Sequence, residues 1–242
     1  MTGIYRFADR NIAIYSTGSE IHTLCKDYLV GENADFSVEV TQEDIETERL
    51  LSIRENEAKG VLPRRFSDGY LETLAVYRKI AERMPCFDTI LFHGSCIAVD
   101  GEGYLFTAKS GTGKSTHTRL WRDLLGERAI MVNDDKPLIR VYDDETVVAY
   151  GTPWDGKHRL SSNSSVPLKG ICLLERAMNN DIREITKAEG YPMLLQQTYR
   201  PSNLDALKRT LLLLDRMNVK LYRLCCNMEV SAAELSYNVM KG

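Results

Sequence analysis

The chain predicts an α/β fold: a mixed, partly antiparallel sheet around one glycine-rich loop, preceded by a small mixed α/β segment. Three observations predict it. Apolar runs rich in strand formers alternate with stretches of helical spacing. Two of these runs, "TILFHGSCIAV" and "YLFTA", lead straight into the glycine-rich "AKSGTGKS" of residues 108–115. A helical stretch and a further apolar strand, "AIMV", follow that loop at once. A chain of 242 residues with 43% hydrophobic side chains can bury one sizeable core and a small second one. The turn-rich "LPRRFSDG" marks the boundary, with a small first segment over 1–66 and the main domain over 67–242.

Taken in order, "GIYRF" and "NIAIYS" read as two strands about a short turn, and "SEIHTLCKDYL" as a helix. "FSVEV" alternates Phe36, Val38 and Val40 on one face, as a half-buried strand does. From Ser67 or Asp68, either of which can cap, Leu71, Leu74, Ala75, Ala81 and Met84 recur at helical spacing until Pro85 stops the helix. "TILFHGSCIAV" and "YLFTA" form a hairpin about "DGEG". The helix that opens at "KSGTGKS" runs to about Gly126. "AIMVNDD", "TVVAYG" and "KGICLLE" supply further strands, with the long polar loop "GTPWDGKHRLSSNSS" between the last two. "SNLDALKRTLLLLDRMN" reads as a helix capped from Ser202, with Leu207, Leu211 and Leu214 on one face, and "KLYRLCC" as a final strand.

Composition excludes several function classes. A formal charge of −3 from interspersed acidic and basic residues gives no electrostatic footprint for nucleic acid or an anionic membrane. No export signal opens the chain and no apolar run is long enough to cross a bilayer, so a soluble, cytoplasmic protein is expected. Six cysteines without C-x-x-C pairs argue against a disulfide framework or structural zinc, and buried, reduced thiols are expected.

The chemistry concentrates in the middle of the chain. A loop between a strand and a helix, with glycines that let the backbone turn inward, aims N–H groups at one spot beside the positive end of the helix dipole. Lys109, Ser110, Gly111, Thr112, Gly113, Lys114, Ser115 and Thr116 form such a loop, a Walker A pattern in which Lys114 reaches outer phosphates and the Ser115 hydroxyl is placed for Mg²⁺. The strict pattern begins with Gly, and Ala108 holds that place here. A methyl group fits there if the residue keeps negative φ. Twenty residues beyond Lys114 stand Asp134 and Asp135; two carboxylates facing a bound Mg-nucleotide can divide the work, one holding metal and one accepting a proton. Lys157, His158 and Arg159, in the long polar loop, could neutralise charge on a moving phosphoryl group.

The run "FHGSCIAVDGEGYLFTAKSGTGKS" followed by "VNDD" resembles the carboxy-terminal catalytic domain of HPr kinase/phosphorylase. "SGTGKST" with its paired Asp is also similar to phosphoenolpyruvate carboxykinase, of the same superfamily. The resemblance covers residues 89–176. It implies an HPr kinase-like P-loop fold, ATP as phosphoryl donor and Mg²⁺ as cofactor, with Lys114, Asp134 and Asp135 catalytic and Asp135 holding the metal alongside Ser115. It carries His93, fifteen residues before the loop, into the active site. Self-association is a further implication, since HPr kinases assemble as hexamers. Where those kinases carry a Glu and an Arg, this chain has Pro167 and Lys169: the charge is kept at Lys169, a candidate phosphate contact, and the carboxylate is lost. The expected function is transfer of the γ-phosphoryl group of Mg-ATP to a hydroxyl, of a serine in a protein or peptide or of a small metabolite. The alternatives are a nucleotide-binding sensor without turnover and a carboxykinase-type phosphotransferase.

Overall fold

The computed structural model describes residues 1–58, 60–62, 65–156 and 158–242. It divides into two compact units, Met1–Arg83 and Met84–Gly242.

In the first unit, β1 (Thr2–Phe7) and β2 (Arg10–Tyr15) form an antiparallel hairpin, and β3 (Phe36–Glu39) lies parallel to β2. Ala8 and Asp9 turn the hairpin with φ of 47° and 59°, the left-handed pair a two-residue turn requires. Among the described residues, three α-helices complete the unit: α1 (Glu20–Leu24), α2 (Gln42–Ala58) and α3 (Asp68–Arg83). The helix expected to open the main domain therefore belongs to the first unit, and the division falls after Arg83 rather than at 66; Pro63 and Arg64 of the expected boundary lie outside the described residues. The reason is polar as well as apolar. Glu72, in α3, is buried and accepts from Thr17 N (2.6 Å), Thr17 Oγ1 (2.8 Å) and Gly18 N (3.0 Å). Arg78 of α3 likewise pairs with buried Glu48 of α2. Loss of either contact strands a buried carboxylate.

The second unit is built on a mixed sheet, nine-stranded among the described residues. Its strands are β4 (Thr89–Leu91), β5 (Ser95–Val99), β6 (Glu102–Thr107), β7 (Ala129–Asn133), β8 (Leu138–Val141), β9 (Val147–Tyr150), β10 (Ser165–Arg176), β11 (Asp181–Ile185) and β12 (Lys220–Cys226). The main path runs β4-β8-β9-β10-β6-β5-β7, and β12 joins β10 to β11. Among the described residues of this sheet, only the pairings of β10 with β6 and with β12 are parallel. This is the mixed, partly antiparallel sheet the sequence predicts.

Strand alternation sorts side chains onto two faces. Cys96, Leu105, Ile171, Leu173 and Leu221 point into one core, which also takes Leu194 from α5 (Lys187–Gln197) and Leu213 and Leu214 from α6 (Leu204–Arg216). Ile97, Tyr104, Phe106, Cys172 and Leu224 point into the other, with Leu120 and Trp121 from α4 (Lys114–Leu125) and Ala233 and Met240 from α7 (Val230–Met240). A three-layer arrangement results.

Three expectations are corrected. "TILFHGSCIAV" is not one strand but β4 and β5, broken at Phe92–Gly94. The break is filled by other partners: Phe92 N donates to Pro137 O (3.1 Å), His93 N to Gln197 O (2.8 Å) and Gly94 N to Asp135 O (3.1 Å). The cap of α6 is Asn203, which accepts from Asp205 N and Ala206 N, and its buried face runs through Ala206, Thr210, Leu213 and Leu214, leaving Leu207 and Leu211 half-buried. Of the cysteines, all free, Cys25, Cys96 and Cys172 are buried, whereas Cys86 is exposed and Cys225 and Cys226 are intermediate. Among the described residues, no helix is long and apolar enough to cross a membrane.

Candidate functional site

Parallel pairing puts the carboxyl ends of β6, β10 and β12 at one end of the sheet. Two antiparallel steps, β6 to β5 to β7, bring the end of β7 to the same side. The segments following β6 and β7 are therefore neighbours, as ligand sites at strand ends require.

The segment after β6 is the glycine-rich loop. Gly111 has φ of 79° and Gly113 of 127°, and an added Cβ would meet no protein atom within 4 Å at either. Backbone conformation, rather than crowding by the protein, is what demands glycine there. Ala108 is absent from the positive-φ residues and buries its methyl group in the core with Trp121, so its departure from Gly is accommodated. Lys114, buried at the first position of α4, turns back to give Nζ to Ala108 O at 3.1 Å. Lys109, Ser110 and Ser115 are exposed, and Thr112 and Thr116 half-buried. At the far side of the loop, Arg176 at the end of β10 donates to Thr112 O (3.0 Å) and to Gly111 O. With those carbonyls turned towards Arg176, the loop's crown is tethered from outside.

The segment after β7 carries the carboxylates. Asn133 shapes it: Oδ1 accepts from Asp135 N (2.9 Å) and Lys136 N (2.6 Å), and Nδ2 donates to Thr152 O (3.0 Å). Asp134 is 4% exposed and accepts from Ser95 Oγ at 2.5 Å; Ser95 Oγ in turn lies 3.1 Å from Thr118 Oγ1 in α4. Asp135 stands more open, with His93 Nε2 3.3 Å from Oδ1 and Lys136 Nζ 3.0 Å from Oδ2. Burial pushes the Asp135 carboxyl up, but the hydrogen bond from His93 and the charge of Lys136 outweigh it and hold it at about 2. The same neighbourhood reaches Lys114: burial pushes its ammonium down, Asp135 and Asp134 pull it up, and Lys136 opposes them. His93 is fixed from behind, its Nδ1 2.6 Å from Gln197 Oε1 at the end of α5. His93 thus stands between Gln197 Oε1 behind it and Asp135 Oδ1 in front.

The long loop after β9 covers Asp134. A Cβ on Gly156 would lie 2.8 Å from Asp134 Oδ2, and one on Gly151 would lie 1.8 Å from Ser162 O. Trp154 is buried there, and burial pushes the Asp155 carboxyl up. Of the cations expected from this loop, Lys157 lies outside the described residues, and Arg159 is exposed with φ of 48°, close enough to act electrostatically on Asp155. Lys169 is not brought to the loop at all. It pairs with Glu102 (2.7 Å) at the start of β6, and the strand separates it from Ala108 by about 15 Å at roughly 3.3 Å per residue. Its charge neutralises Glu102.

Sequence reasoning did not single out Ser95, Asn133, Thr152, Arg176 or Gln197. Asn133 was legible as the residue before an Asp pair, where an Asx turn is common. The others are joined only by tertiary packing; Gln197 is 104 residues from His93.

Fold and site together define a mixed α/β protein whose strand ends gather a glycine loop with its lysine, a pair of carboxylates and a histidine. Residues 70–229 match the family described as SynChlorMet cassette protein ScmC, and the chain belongs to that family. No curated protein sequence matches it. Among solved structures, the chain is distantly similar to the Hpr(Ser) kinase/phosphatase from Coxiella burnetii, with 11% identity and a TM-score of 0.36 over 63% of this chain and 99% of that one.

Proposed function

We propose that the protein is a Mg-ATP-dependent kinase that transfers the γ-phosphoryl group to a hydroxyl, of a serine in a protein or peptide or of a small metabolite. The observation that supports this most is the shared electrostatic neighbourhood of Lys114 and both carboxylates, because a loop cation and an acidic pair acting on one space is what phosphoryl transfer needs. The amides of 109–115 and Lys114 take the phosphates. Ser115 and Asp135 hold Mg²⁺, which when bound neutralises charge between the outer phosphates. One hydroxyl and one carboxylate are an all-oxygen donor pair, the kind Mg²⁺ takes alongside substrate oxygens. Asp135, the more open of the pair, takes the metal, leaving Asp134 for the proton. The acceptor oxygen attacks the γ-phosphorus, the bond to the β,γ-bridging oxygen breaks, ADP departs and the hydroxyl proton passes to the carboxylate.

One observation favours a second reading, a nucleotide sensor without turnover: both oxygens of Asp135 are already engaged, by His93 and by Lys136. Incubation with γ-labelled Mg-ATP, a panel of serine peptides and free serine separates the two. A kinase labels an acceptor, and Lys114→Ala and Asp135→Asn abolish the label. Binding without transfer, unchanged in Asp135→Asn, identifies the sensor.

A further inference from the structure

The segment that carries the two carboxylates continues into a lysine whose backbone is fixed on both sides. Lys136 N donates to Asn133 Oδ1 (2.6 Å), its carbonyl oxygen accepts from Thr152 Oγ1 (2.8 Å), and the carbonyl of Pro137 accepts from Phe92 N (3.1 Å). Asp135, the residue before it, is held through its amide by Asn133 Oδ1 (2.9 Å) and through its carbonyl by Gly94 N (3.1 Å). What is left to move at Lys136 is a flexible four-carbon stem that ends in three rotatable donors. The tip of that stem lies 3.0 Å from Asp135 Oδ2.

Two observations place this ammonium at the phosphate end of the site. Its partner Asp135 is the more open of the acidic pair, and the other oxygen of Asp135 is 3.3 Å from His93 Nε2. Lys136 also acts electrostatically on Lys114, as both carboxylates do, so the two ammonium groups share one neighbourhood beside the glycine loop. The other cations expected to meet a moving phosphoryl group leave that place open: Lys169 is paired with Glu102, and Lys157 lies outside the described residues.

The ion pair with Asp135 is of an exchangeable kind. Its two side chains are 26% and 34% exposed, and pairs this open to water contribute little to stability. A terminal phosphoryl group carries more charge than a carboxylate and offers three oxygens to the same donors. Movement of Nζ to that group frees Asp135 Oδ2, so the pairing that occupies Asp135 in the unliganded protein is relieved by the nucleotide itself.

Resting on the kinase reading above, we infer that Lys136 is the second cation of the site: when the nucleotide binds, its ammonium leaves Asp135 and contacts the γ-phosphoryl oxygens, where it stabilises their charge during transfer. Lys136 neither gives nor takes a proton in that step. The acceptor oxygen bonds to the γ-phosphorus, the bond to the β,γ-bridging oxygen breaks with its electron pair going to ADP, and the hydroxyl proton passes to Asp134.

Calorimetry of the full chain with the Mg²⁺ complexes of β,γ-imido-ATP and of ADP, in the wild type, Lys136→Met and Lys136→Arg, tests this. Lys136→Met should weaken β,γ-imido-ATP by about tenfold or more and ADP by less than about twofold, because the charge-assisted hydrogen bond it removes goes to the third phosphate. Lys136→Arg keeps the charge and should recover most of the loss. A lysine that only pairs with Asp135 would move both nucleotides alike, so equal weakening of both, or of neither, overturns the inference. Acetylation of the wild type by an amine-reactive ester, read by mass spectrometry, decides the matter if the variants do not fold. β,γ-Imido-ATP should protect Lys136 and ADP should not; equal protection by both, or by neither, overturns the inference. A wild type that binds neither nucleotide refutes the phosphate-loop reading itself, and the role of Lys136 falls with it.

Discussion

His117 makes the stability of the second unit depend on pH in a calculable way. Its ring sits between Phe106 and Trp121 at centroid distances of 4.8 and 6.5 Å, and burial lowers its proton affinity to a pKa of about 4 from an ordinary 6.5. In the unfolded chain the ring binds a proton as pH falls through 6.5, whereas the folded ring resists until about 4, so the unfolded state binds more protons across that window. The stabilisation is complete above pH 6.5 and is lost on acidification. A shift of this size corresponds to about 3 kcal/mol in full, of which about 2 kcal/mol is gone at pH 5. Both tryptophans, Trp121 and Trp154, lie in the second unit, so their fluorescence reports its unfolding. Urea titrations at pH 7.5 and pH 5, in the wild type and in His117→Phe, measure the effect. The wild type should lose about 2 kcal/mol more than the variant over that interval. Equal losses in the two proteins would refute the assignment of a buried, neutral imidazole.

Other perturbations test other parts of the site. Ser95→Ala removes a charge-assisted hydrogen bond from buried Asp134 and should lower stability by about 2 kcal/mol, seen as a thermal midpoint depressed by roughly 4–8 °C; an unchanged midpoint would show that Asp134 does not depend on Ser95. Gly113→Ala forces a side chain onto φ of 127°, so it should weaken tripolyphosphate binding by about tenfold or more while leaving the far-ultraviolet circular dichroism unaltered. Wild-type affinity in that variant would mean that the loop's conformation is not used. Lys169→Ala breaks a pairing with Glu102 that is partly open to solvent, and should change stability by less than about 1 kcal/mol and nucleotide affinity not at all. A large loss of nucleotide affinity would restore Lys169 to the site.

What could be read from the sequence was what local chemistry determines. The hairpin turn at Ala8–Asp9, the strands β5, β6, β7 and β10, and the helix α4 with its Gly126 stop all follow from short-range pattern. The loop and the Asp pair were legible because their spacing is itself the signal. α2 was not predicted. It buries only Ile45 and Glu48, so no apolar stripe announces it, and its one mark is Thr41 with Asp44, whose side chains cap its start. α5 was missed too, although Thr186 and Glu189 form a capping box there. That omission concealed Gln197, and with it the reason His93 leaves the sheet. A strand pattern continued through Phe92–Gly94, while the backbone hydrogen bonds that break it come from Pro137, Gln197 and Asp135, which no local reading could place beside it. Lys169 shows the converse error: a cation read as a ligand contact was claimed by Glu102 across two paired strands.

Every role proposed for the site depends on residues 108–115 binding polyphosphate through Lys114. Isothermal calorimetry of the full chain with Mg-ATP, repeated on Lys114→Ala, measures this directly. Saturable binding of one nucleotide per chain is expected, and it should disappear in the variant while the circular dichroism matches the wild type. Binding of equal strength in Lys114→Ala, or no heat from the wild type at millimolar nucleotide, would contradict it.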